Sequence, residues 1–158
     1  MGIGSFIGIS GDRLHHCLGV VRKCYALAKT EDFPEEFCRR MFTIGWNHDI
    51  GYEFAIDKAE HPVVSEALLK SIGMANDSRD SSKTLHAIRL HGHDATVKSA
   101  EWRILNMADM LVDSKGNEVT TSQRLQDIAT RFGEDSREFK QATKLCELLQ
   151  LVEESVEC

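Results

Sequence analysis

Two prolines in 158 residues, and few runs of β-branched side chains, leave little to interrupt helices and little to build strands. No C-x-x-C pair occurs among the cysteines at 17, 24, 38, 146 and 158, and their odd number closes no disulfide framework. They read as reduced thiols, which points to the cytoplasm. No membrane span or signal segment is expected: the opening M-G-I-G-S-F-I-G-I-S lacks a basic flank, is too short, and has Phe6 where a myristoylation pattern needs serine or threonine. Positive charge is also in short supply. With 19 basic against 25 acidic residues the net charge is −6, which argues against a broad nucleic-acid or membrane surface and favours a small-molecule partner.

What is present is helical periodicity. Apolar residues recur at three and four, so the chain reads as an all-α, single-domain helical bundle, and its length buries roughly 68–70% of the unfolded surface. After an N-terminal segment (1–11), the first helix starts near Asp12 as cap, with Leu14, Leu18, Val21, Tyr25 and Ala28 along one stripe. A second runs from Pro34 toward His48, with Gly51 as its stop. A third opens at Pro62 and ends at Gly73, and a fourth covers about Ser81 to His91 before Gly92. Thr96 is the expected cap of a fifth reaching Val112. The polar stretch 113–118, D-S-K-G-N-E, then separates the core (12–113) from a C-terminal hairpin (119–158) of helices at about Ser122 to Phe132 and Ser136 to Glu153. The hairpin stripes, which include Leu125, Ile128, Leu145 and Leu149, serve equally to cap the core or to form a homodimer surface.

Ionisable residues stand where an apolar core is expected. His48 and Asp49 lie among Met41, Phe42, Ile44, Trp46 and Ile50, and Asp109 lies in line with Leu105 and Val112. A carboxylate so placed needs a cation nearby. His16 shares a helix face with Val20, Cys24 and Leu27, whereas His15 aligns with Gly19 and Arg22, so His16 is the more inward of the pair. His61 and His91 fall at helix ends, where side chains can converge. Each histidine taken singly is more often an ordinary core or helix-end residue. Together His16, His48, Asp49, His61, His91 and Asp109 form a donor set from separate elements that suits divalent transition metals.

In motif order, R-L-H-H-C-L-G-V (13–20), H-D-I-G-Y (48–52), H-P-V-V-S-E-A-L-L (61–69), A-I-R-L-H (87–91) and M-A-D-M-L (107–111) resemble the HD-domain superfamily of metal-dependent phosphohydrolases. The resemblance covers about residues 12 to 113. It implies one metal on His16, chosen because it lies three residues after Arg13, with His48, Asp49 and Asp109. A second ion would share Asp49 as a bridge with His61 and His91. It further implies one or two divalent ions, iron or manganese first, with nickel, cobalt, zinc and magnesium as alternatives. The reaction would be hydrolysis of a nucleotide or other small phosphate ester, a dinucleoside polyphosphate among them, by a metal-activated hydroxide. Asp49 and His93 would be catalytic, His93 as a further ligand or phosphate contact, and His86 would lie outside the site. Many members continue H-D-I-G with lysine, where this chain has Tyr52. The phosphate contact is therefore open among the basic residues nearest the motifs, Arg13, Lys58, Arg89 and Lys98. The same ligands are similar to those of HD-type di-iron oxygenases, and a non-catalytic metal- or nucleotide-binding regulatory module is the other alternative.

Overall fold

The computed structural model describes residues 10–74 and 79–151. Among them the chain is all-α, a single domain of seven α-helices: α1 (Gly11–Thr30), α2 (Glu35–Asn47), α3 (His61–Ser71), α4 (Arg79–Arg89), α5 (Ala100–Met110), α6 (Thr121–Phe132) and α7 (Arg137–Leu148). Two short 3₁₀ turns, Tyr52–Phe54 and Lys58–Glu60, join α2 to α3, and no helix among the described residues is long and apolar enough to cross a membrane. The N-terminal segment (1–9) and the chain beyond 151 lie outside the described residues.

Helix α1 packs on α2 and α5, α3 on α4, and α4 on both α2 and α5, while α6 pairs with α7 and α7 reaches α5. The core is lined by Val20, Cys24, Cys38, Met41, Ile44, Leu85, Ile88, Trp102, Ile104 and Leu105. The inward face of α1 differs from the Leu14–Tyr25 stripe. It carries His16, Cys17, Val20, Val21, Cys24 and Ala28, whereas Leu14 and Leu18 are half-buried and Tyr25 is exposed. The small cysteines behave as apolar core residues and let α2 come close, since a Cβ on Gly45 would lie 3.1 Å from the Val21 Cα. Around the His48–Asp49 step, Met41, Ile44 and Ile50 are buried, but Phe42 faces solvent and Trp46 is only half-buried.

Caps explain where several helices begin. Ser10, not Asp12, caps α1 by accepting from the Arg13 amide, and Asp12 sits in the first turn, where the helix dipole favours an anion. Helix α5 starts later than expected, because Ser99 takes the cap role from Thr96 by accepting from the Trp102 amide at 3.1 Å. The segment ahead of it is held instead by Trp102, whose indole N–H donates to the Leu90 and His93 carbonyls. A reciprocal Thr120–Gln123 capping box starts α6. Helix α7 stops before the expected Glu153: Gln150 is left-handed at φ 54°, and the Leu151 amide returns to the Cys146 carbonyl.

Gly51 controls how closely the His48–Asp49 turn meets α3. Its amide donates to Ser65 Oγ at 2.9 Å, and a Cβ there would lie 2.4 Å from the Ser65 backbone nitrogen. Gly73 is the contrast, at φ +107° with open space around it. Gly51→Ala is therefore expected to lower unfolding stability by about 2–3 kcal/mol through overpacking, and Gly73→Ala by about 1 kcal/mol through left-handed strain alone. Urea denaturation of the two variants measures the difference.

Candidate metal centre

Four histidines converge from different elements, and each uses Nδ1 against a backbone carbonyl. His16 meets the Asp113 carbonyl at 2.8 Å, His48 that of Gly45 at 2.7 Å, His61 that of Lys58 at 2.6 Å and His91 that of Ile88 at 2.6 Å. Three of these reach back three residues, into the closing turn of a helix or 3₁₀ turn, and the Lys58 and Ile88 carbonyls also accept from the amides of His61 and His91 themselves. A carbonyl only accepts, so Nδ1 carries the proton and Nε2 of the neutral ring presents its lone pair inward. This is the outer support that metal-binding imidazoles need.

The inward atoms crowd around two carboxylates. Asp109 Oδ1 lies 3.0 Å from His16 Nε2 and 3.9 Å from His48 Nε2. Asp49 Oδ2 lies 3.5 Å from His48 Nε2 and 3.7 Å from His16 Nε2, while its Oδ1 lies 3.0 Å from His61 Nε2 and 3.2 Å from His91 Nε2. Asp49 thus faces two groups of imidazoles, one with each oxygen. Three overlapping triads have donor atoms mutually within 4.8 Å: His16, His48 and Asp49; His48, His91 and Asp109; and Asp49, His61 and His91.

Two features show that this donor set fits a cation. The His48 Nε2 is fully enclosed and has no hydrogen-bond partner among the described residues, a cost of about 1–3 kcal/mol if nothing binds it. The Nε2 atoms of His61 and His91 stand 2.9 Å apart, with Asp49 Oδ1 beside both. Acceptors that close require a proton or a metal between them. The buried His/Asp cluster could therefore hold a metal ion, and an N/O donor set of this kind suits first-row transition metals. Cys17 belongs to none of these triads, and burial first and then the Asp49 charge push its thiol up.

Above the cluster opens a cavity of about 180 Å³. Arg13 enters from α1, where its guanidinium donates to Asp49 Oδ2 at 2.7 Å and lies 3.6 Å from the Tyr52 ring centroid. Tyr52 also meets His61 edge-on, and Lys58 Nζ lies 5.2 Å from its ring centroid. His93 lines the cavity but belongs to none of the triads. Of the four basic residues considered for phosphate, Arg13 and Lys58 reach the cavity, whereas Arg89 pairs with Glu66 and Lys98 with Asp94. His15 is exposed, and His86 is not among the residues lining the cavity.

Sequence reasoning missed the contribution of the hairpin. Arg124, Ile128, Arg131 and Phe132 of α6 and Glu138, Gln141, Ala142 and Leu145 of α7 line the cavity, so the last two helices form one of its walls. The signal was faint, because an R-x-x-D-x-x-x-R face on an amphipathic helix reads as ordinary solvated charge. No protein-family model, curated protein or solved structure matches this chain. The HD-type resemblance therefore stands on its residues and on this geometry, with which it is compatible.

Burial drives the His48 imidazole down to about 4. Burial works against both carboxylates too. For Asp49 it is outweighed by His48 and by the hydrogen bonds that His61 and His91 donate once, without a metal, a proton sits on their Nε2, and for Asp109 by His16, so both are held well below the usual carboxylate range. His91 goes the other way, since hydrogen bonding to Asp49 overcomes its burial and raises it. For His48, the unfolded chain takes up a proton below its ordinary 6.5 while the folded chain does not until about 4, so stability falls through that window as pH is lowered. The carboxylates add stability that is lost in the same direction at lower pH. His91 contributes stability that is complete below 6.5 and lost only as pH rises above it, so it does not offset the fall between 6.5 and 4. Chelator-treated protein is therefore expected to lose stability from pH 6.5 toward 4, by an amount on the order of 2–3 kcal/mol from His48. Urea midpoints that stay flat across that range would show that His48 is not buried as a neutral ring.

Proposed function

We propose that this chain is an HD-type metal-dependent phosphohydrolase acting on a nucleotide or another small phosphate ester. The observation that carries the reading is one cavity with a floor of imidazoles and carboxylates and with Arg13, Lys58, Arg124 and Arg131 on its walls. Cationic walls over a metal-type donor set suit an anionic substrate whose reacting group must lie against the floor.

His16, His48, Asp49 and Asp109 would hold one ion, and Asp49, His61 and His91 a second. When bound, such ions supply Lewis acidity toward phosphoryl oxygens and acidify water near neutral pH. Arg13 acts from the chain itself. Stacked on Tyr52 and paired with Asp49, it presents a guanidinium fixed at the edge of the floor, which takes over the phosphate contact that lysine makes after H-D-I-G in many HD proteins. His93, held down from its ordinary value by burial and by neighbouring His91, is neutral at pH 7 and suited to share a hydrogen bond with a phosphate or leaving oxygen. Ile128, Phe132, Ala142 and Leu145 offer an apolar wall for the organic part of the substrate. The paired donor groups around Asp49 also suit two irons, so dioxygen-dependent oxidation is the second reading.

Asp49→Ala is expected to remove bound metal, by elemental analysis of protein purified without chelators, together with phosphate release from nucleotides. Helical circular dichroism should remain. Metal content that survives the substitution would take the bridging role away from Asp49. His93→Ala is expected to keep its metal and lose roughly 10²-fold in turnover, the lower end of general acid–base effects. Phosphate release that proceeds equally without O₂ supports hydrolysis, and two irons per chain with an O₂-dependent product and no phosphate release supports oxidation.

A further inference from the structure

Arg124 is the least expected residue in the cavity wall. Its side chain is only 11% exposed, and Asp127 Oδ2 is its one hydrogen-bond partner among the described residues, at 3.1 Å from NH1. Its Nε–H is enclosed and has no partner among the described residues. A structural arginine in an interior would have that donor satisfied, because leaving it unmade is unfavourable. Arg131, two turns further along α6, pairs with the same Asp127 oxygen at 3.0 Å and lines the same cavity. One carboxylate thus sets the direction of two guanidinium groups and neutralises only one of them. Asp109, which feels the charge of Arg124, is already engaged with His16. Both side chains line the opening whose floor is the metal-type cluster.

We infer that Arg124 and Arg131 form a second anion subsite, which binds an outlying phosphoryl group of the substrate while Arg13 and the cluster take the reacting one. The inference rests on reading the cavity as a phosphate-ester site, and it narrows the substrate class to esters that carry at least two phosphoryl groups. A phosphoryl group suits the pair better than a carboxylate, because its three oxygens accept from two guanidinium forks at once. Asp127 is a positioning residue in this arrangement. Ile128 and Phe132, one step along the same helix face, place the organic part beside the subsite.

The test uses chelator-treated full-length protein, so that its outcome does not depend on whether the cluster binds metal, which elemental analysis decides separately. Methylenediphosphonate, which is not hydrolysed, is titrated while the arginine Nε–H resonances are followed by NMR, beside methylphosphonate and malonate. A saturable shift of the Arg124 resonance is expected, with the diphosphonate binding at least about tenfold more tightly than methylphosphonate. Arg131→Gln, on an exposed part of α6 where folding is not at risk, should erase that margin, and Lys140→Gln, outside the cavity, should keep it. No saturable shift, or Arg131→Gln protein that binds like the wild type, overturns the subsite. Malonate binding as tightly as the diphosphonate overturns the phosphoryl assignment.

Discussion

Asp49 places a carboxylate where only 2% of the residue reaches solvent, and an ionised carboxylate is tolerated there only against positive charge. Arg13 supplies some of it, but imidazole nitrogens from α1, the end of α2, α3 and the end of α4 crowd the same two oxygens. Those nitrogens are turned inward by carbonyl contacts that hold Nδ1, which leaves lone pairs facing lone pairs. A divalent cation resolves this more completely than a proton, because it accepts from all of the donors at once. The arrangement is therefore costly when empty of positive charge and favourable when filled, and a chelated protein should behave as a strained version of the same fold.

The helices serve that arrangement in different ways. Close approach of α1 and α2, through Cys24 and Gly45, puts His16 beside His48, and the tight turn at Gly51 brings α3 and His61 to the opposite oxygen of Asp49. The loop after α5 does more than connect. Asp113 gathers the Lys115 and Asn117 amides with its side chain and gives its carbonyl to His16, so a polar break between two halves of the chain also orients a donor. Trp102 fixes the Leu90 to His93 corner from α5, which holds His91 on the floor and His93 on the wall.

The helical architecture was legible because apolar spacing, Pro62 and Gly73 mark elements whose local preferences agree with their packing. The donor set was legible for a different reason: His48, Asp49 and Asp109 violate the apolar pattern around them, and such violations concentrate where chemistry is done. Less was visible where position depends on partners far along the chain. Nothing local distinguishes Ser99 from Thr96 as a cap until Trp102 is seen to need burial. Arg124 and Arg131 look like a solvated helix face until α6 folds over the cluster, and the choice among Arg13, Lys58, Arg89 and Lys98 depends on whether Glu66 and Asp94 claim their cations first.

The whole arrangement turns on whether the enclosed Nε2 of His48 is a metal donor. Crystals of the protein grown with manganese or zinc, with anomalous data collected on either side of the metal absorption edge, test it without reference to activity. An anomalous peak is expected at coordination distance from that nitrogen, about 2.0–2.2 Å for zinc, shared with Asp49 or Asp109. Density that shows His48 Nε2 bonded to a water or to nothing, in crystals that carry the metal elsewhere, would contradict it.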